Sequence, residues 1–121
     1  NLFFSDGTNN IGSKYRLFNN RRKIMELCAT CYKPKECNHH LIFGTSQRAL
    51  STEDRLTLDM CNSCHNMAEK PVDRIHGNTM AEKLSKMLGQ AIFERDYIIM
   101  NRSSGEEART AFMSRYGRSY L

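Results

Sequence analysis

Residues 36–44, ECNHHLIFG, and residues 55–67, RLTLDMCNSCHNM, set how this chain folds. The first reads as a strand ending at Gly44. In the second, RLTLDM supplies another strand, with Leu56, Leu58 and Met60 on one face. Ser46 to Asp54, between the two, is polar and reads as a loop. CNSCHNMAEK then suits a helix that Pro71 ends or closely follows. The order is strand, loop, strand, helix, a small α+β unit.

Two CxxC pairs bracket this unit: Cys28 with Cys31, and Cys61 with Cys64. Four thiolates from two such knuckles can converge on one tetrahedral Zn²⁺ at about 2.3 Å each. A redox CxxC is the rival reading, but a thioredoxin-like site uses one pair beside a parallel-sheet pattern that this sequence lacks. The 29 residues between the knuckles exceed the roughly 15 to 20 of a simple ribbon, so the intervening hairpin is a structural unit that the zinc ties together. Cys37 is the odd fifth cysteine and reads as a small buried hydrophobe.

Beyond this unit, residues 1–19 are a polar lead-in and Asn20 to about Cys28 a short basic helix. Asn78 or Thr79 can cap a longer helix whose Met80, Leu84, Met87, Leu88, Ala91 and Ile92 form an apolar stripe against the core. The same stripe could equally serve a dimer, which leaves monomer and homodimer both open. A last helix, about Ser104 to Tyr116, starts near Glu106 and Glu107 and stops at Gly117. The chain divides accordingly into a lead-in (1–19), a core with its basic helix (20–77) and a helical extension packed on it (78–121).

At 121 residues the chain fits one domain, and its 40% hydrophobic content makes a modest core that a metal staple would support. No apolar run is long enough to span a membrane, and no secretory leader stands at the start. The net charge of +5 is concentrated in residues 1–35, which hold seven bases against two acids. Such a patch suits a polyanion or a solvated helix face.

Three of the four histidines, His39, His40 and His65, fall in the hairpin–helix unit, where clustered imidazoles make a metal-binding constellation. ECNHHLIFG followed by RLTLDMCNSCHNM resembles the ββα-metal core of the HNH, or His-Me finger, endonucleases, in the zinc-stapled subtype found in phages and prophages. The resemblance covers about residues 28–77. It implies that His40 is the general base while His39 and His65 hold a catalytic Mg²⁺, Mn²⁺ or similar ion. Neighbours in a flat strand face opposite ways, so the roles of His39 and His40 could be exchanged. For a third ligand the candidates are Glu69, one turn beyond His65, and His76, folding back from RIHGN. The family's middle Asn is missing before the second strand, where Glu53, Asp54 and Arg55 stand. Either Asp54 or backbone contacts would take over its work. Glu36 is a possible orienting group for a histidine, or a charge at a strand edge.

The resemblance implies a metal-dependent DNA endonuclease or nickase in a bacterial cytoplasm. Arg21, Arg22, Lys23, Lys33 and Lys35 would grip the phosphate backbone without reading sequence. The alternatives are a zinc-stapled DNA-binding or recombination-accessory module with weak chemistry, and a zinc adaptor for protein partners.

Overall fold

The structure, a computed structural model, describes residues 25–121. Arg21, Arg22, Lys23, the lead-in and most of the expected basic helix lie outside the described residues. The part of that helix within them, from Met25 to Cys28, is not helical: Leu27 forms an isolated antiparallel bridge with Pro34.

Strands β1 (Cys37–His40) and β2 (Thr57–Met60) form a two-stranded antiparallel sheet in the register Cys37 to Met60, Asn38 to Asp59, His39 to Leu58 and His40 to Thr57. β1 is shorter than its sequence pattern implies. Beyond His40 the Leu41 amide still donates to the Leu56 carbonyl, but Leu41 and Ile42 are both buried and their side chains serve the core. The expected polar loop is largely a helix, α1 (Gln47–Glu53). Its Ser and Thr content disguises good helix formers, Gln47 to Leu50. Ser51 is fully buried, donates to the Ile42 carbonyl at 2.6 Å and accepts from the Ile42 amide. The polar residue thus satisfies backbone that the short strand leaves unpaired.

After β2 the expected helix is a single π-helical turn, Ser63–Met67, followed by a 3₁₀ turn at Pro71–Asp73. The long helix α2 (Thr79–Asn101) is capped by the Asn78 side chain, which accepts from the Ala81 amide. α3 (Gly105–Tyr116) begins with a reciprocal capping box between Ser104 and Glu107 and ends at Gly117 in the left-handed conformation, as the sequence indicates.

The main core comprises Leu41, Ile42 and Leu56 from the hairpin, Phe93 from α2, and Phe112 and Tyr116 from α3. Residues on both sides of position 77 therefore build one hydrophobic centre. The face that α2 buries differs from the expected stripe: Met80 is 72% exposed and Leu84 55%, whereas Ser85, Gly89, Gln90 and Phe93 are buried. Small residues are needed there because the hairpin lies directly on the helix. A Cβ on Gly89 would come within 2.7 Å of Ile42 Cγ1 and 3.1 Å of Leu41 Cβ. Gly89→Ala should gain roughly 1 kcal/mol of helix propensity yet lose about 1–3 kcal/mol to overpacking. With the contact this close to buried atoms the second effect wins, and thermal denaturation should show a lower Tm. A raised Tm would mean that the hairpin shifts without cost.

Asp54 joins α1 to α3, accepting from Arg115 Nε at 2.6 Å and from the Tyr116 hydroxyl at 2.7 Å. Burial, reinforced by Asp54, raises the Tyr116 phenol pKa, keeping the ring a neutral donor. Asp54 therefore secures the C-terminal helix and does not orient a histidine.

Candidate functional site

Cys28, Cys31, Cys61 and Cys64 come together with their sulfurs all within 4.8 Å of one another. Cys31 and Cys61 are 3.6 Å apart, close to the roughly 3.8 Å edge of a tetrahedron with 2.3 Å Zn–S bonds. The donor set and spacing fit a zinc ion, and the four cysteines could hold one. A tight turn forms the first knuckle: the Cys28 amide donates to the Lys33 carbonyl, and Tyr32, at φ 65°, donates back to Cys28. The second knuckle is the start of the π turn, where the Cys64 amide points at Cys61 Sγ. Burial resists ionisation of Cys28, but hydrogen bonds from the Thr30 side chain and from backbone amides outweigh it and lower its pKa. Cys37 stands outside the group, half-buried, with its thiol towards the Met60 carbonyl.

The second cluster is His39, His65 and His76, each able to present one ring nitrogen within 4.8 Å of the others. His76 reaches it because the segment after the 3₁₀ turn doubles back: Ile75 donates to the Cys64 carbonyl and His76 to that of His65. The Nε2 atoms of His65 and His76 are 3.1 Å apart. Phe43 closes one side, its ring edge-on to His76 at a centroid distance of 4.8 Å. Glu69, the competing third ligand, is not in the cluster; its backbone carbonyl accepts from Arg74.

Hydrogen bonding fixes how these rings present themselves. His39 is completely buried, and its Nε2 lies 2.7 Å from Ser85 Oγ, whose own proton goes to the Leu41 carbonyl. Ser85 must therefore accept from His39 Nε2–H, leaving the lone pair on Nδ1. Among the described residues that Nδ1 is buried with no hydrogen-bond partner. An orphaned acceptor beside two other imidazoles is the observation a bound cation would resolve. At His76, Nδ1 faces the Glu82 carboxylate at 3.4 Å, which turns Nε2 inward. Burial, with His65, His76 and His40 adding, holds the His39 pKa down at about 4, and burial also lowers that of His65. Neutral imidazoles are the form that binds metal.

Three nitrogens and no carboxylate make a donor set for Fe²⁺ or a later first-row ion more than for Mn²⁺. Mg²⁺, which takes oxygen ligands, fits it poorly. Neither Glu82 nor Ser85 stands out in the sequence, because both belong to an ordinary amphipathic helix more than forty residues beyond His39. Ser85→Ala should lower affinity for a Co²⁺ probe about 10- to 100-fold while zinc in the cysteine site is retained. Unchanged Co²⁺ titrations would remove Ser85 from the metal's support.

His40, next along β1, is not a member of the three-histidine cluster but stands close enough for its charge to lower the pKa of both His39 and His65. Its Nε2 lies 3.0 Å from Thr52 Oγ1, and that hydroxyl donates to the Arg48 carbonyl within α1. His40 Nε2–H is thus the donor to Thr52, and its Nδ1 carries the lone pair. Burial, followed by the nearby Arg48 charge, lowers the His40 pKa. Thr52, not Asp54, holds this ring.

The remaining site expectations separate. Glu36 accepts from the Asn62 amide at the entry to the π turn and touches no histidine. Lys35 is engaged by Glu26 at 3.1 Å and Asp59 at 3.0 Å, so it is a staple of the knuckle and not an open phosphate contact. Lys33 is exposed. Among the described residues no helix is long and apolar enough to cross a membrane. Compared with family models, curated proteins and solved structures, the chain matches none.

Proposed function

We propose that this protein is a metal-dependent DNA endonuclease or nickase built on a zinc-stapled ββα-metal hairpin of the HNH type. The observation that carries the reading is the orphaned Nδ1 of buried His39, facing His65 and His76, one residue from a second histidine held in the tautomer that can accept a proton.

A divalent ion bound by the three imidazoles would neutralise charge on the phosphate and on the departing 3′ oxygen. Ser85 and Glu82 orient the rings that hold it. His40 Nδ1 takes a proton from water as the water oxygen bonds to phosphorus; the P–O3′ bond breaks, the electron pair leaves with the 3′ oxygen, and solvent protonates it. Thr52 keeps the His40 ring from turning its N–H towards the water. The products are a 5′-phosphate and a 3′-hydroxyl.

The test is incubation of the full chain with supercoiled plasmid and Mn²⁺, Co²⁺, Ni²⁺, Zn²⁺ or Mg²⁺, each with an EDTA control. Metal-dependent nicking, strongest with the transition ions, is expected. Binding in a gel shift without cleavage under any ion would overturn the reading in favour of an accessory DNA-binding module.

A further inference from the structure

A cleft of about 440 Å³ opens between α2 and the segment following α3, lined by Lys83, Lys86, Met87, Arg118, Ser119 and Tyr120 among others. Three cations surround it and, among the described residues, no acidic side chain lines it. By contrast, Lys35, Arg95, Arg109 and Arg115 each meet a carboxylate. Lys83, Lys86 and Arg118 enter none of these ion pairs. Like charges gathered around one concavity repel, and an anion bound there relieves the repulsion.

The cleft is built rather than incidental. Gln90, fully buried in α2, pins its far wall by accepting from the Tyr120 amide and donating to Ser119 Oγ at 3.0 Å. Tyr120 in turn positions two of the charges: Arg118 lies 4.6 Å from its ring centroid and Lys86 Nζ 5.7 Å. Lys86 also stands 4.5 Å above Phe43, the ring that packs against His76 at 4.8 Å. Its ammonium is therefore no farther from the His76 ring than those two contacts laid end to end. At about 3.4 Å of axial rise per nucleotide, that is a separation of a few nucleotides.

We propose that the Lys83–Lys86–Arg118 cleft binds a backbone phosphate of the DNA being cut, a few nucleotides from the bond at the three-histidine site. The inference rests on the nuclease reading and assigns the phosphate grip to α2 and the C-terminal segment. Free phosphate or pyrophosphate shares the recognised chemistry and is the competing source.

The experiment measures anisotropy of a labelled duplex oligonucleotide across a salt series, without added metal, for wild type, Lys86→Gln/Arg118→Gln, and Lys70→Gln/Arg95→Gln, which removes equal charge elsewhere. Inorganic pyrophosphate is titrated in parallel. The cleft variant should bind at least roughly tenfold more weakly than wild type near 0.1 M salt, with a log–log salt slope shallower by about 0.9 for each phosphate it no longer neutralises; the control variant should change little. Identical behaviour of the two variants overturns the cleft and leaves the nuclease reading intact. Pyrophosphate binding that the cleft substitutions abolish, with DNA binding unmoved, also overturns it in favour of a free anion. If wild type binds no duplex at low salt the cleft proposal falls, and metal-dependent hydrolysis of bis(p-nitrophenyl) phosphate decides separately whether the histidine site is hydrolytic.

Discussion

Replacing Cys28 and Cys61 together by serine should unfold the hairpin end of the molecule, with loss of about one zinc per chain and a large fall in Tm. The reason lies in how little else among the described residues holds that end. Around the cysteines the buried residues are Cys28, Met60 and Cys61, packed against partly buried Leu58 and Ile75; this cannot offset the entropy of ordering two knuckles and a π turn. A tetrathiolate zinc site contributes on the order of 10 kcal/mol or more in small domains, comparable to the whole stability of many of them. The main core joins Leu41, Ile42 and Leu56 of the hairpin to Phe93, Phe112 and Tyr116 of the helices, so losing the hairpin also strips packing from α2 and α3, and only part of their far-ultraviolet signal should remain. Zinc content by atomic spectroscopy and melting followed by circular dichroism measure both effects. A double variant that melts within a few degrees of wild type would show that the sulfurs come together without a metal to hold.

The cysteine spacing was readable from sequence because a thiolate site depends on few residues at short intervals, and Cys28, Cys31, Cys61 and Cys64 converge as that spacing implies. The histidine site was only half readable. Strand alternation already implied that His39 and His40 face opposite ways, but choosing between Glu69 and His76 required knowing that residues 75–76 hydrogen-bond back to 64–65. No local pattern encodes that return. The α2 stripe misled for a related reason. Periodicity ranks residues by hydrophobicity, whereas the packed face was selected for closeness, with Gly89 under Ile42 and Ser85 under His39. The exposed Met80 and Leu84 are the consequence of that choice. α1 escaped because its buried side chain, Ser51, is polar and works by pairing with backbone.

His40→Ala should reduce metal-dependent plasmid nicking by about 10² to 10⁴ while leaving Co²⁺ or Mn²⁺ affinity at the three-histidine site nearly unchanged. The two readouts separate because His39 belongs to the metal cluster and His40 does not. His39 is locked by Ser85 into the cluster, and His40 is held by Thr52 outside it. His39→Ala should behave differently, losing metal affinity and cleavage together, since it removes the buried lone pair. Thr52→Val supplies the intermediate case. The His40 ring remains but loses the acceptor for its Nε2–H, so the tautomer with the proton on Nδ1 becomes accessible and the rate should fall by a smaller factor than for alanine. If the exchanged assignment were correct, His40→Ala would abolish metal binding and His39→Ala would spare it. If neither histidine mattered to cleavage in a preparation that nicks DNA, the activity would belong to another protein in the sample, and the geometry around His39 Nδ1 would need a ligand of a different kind.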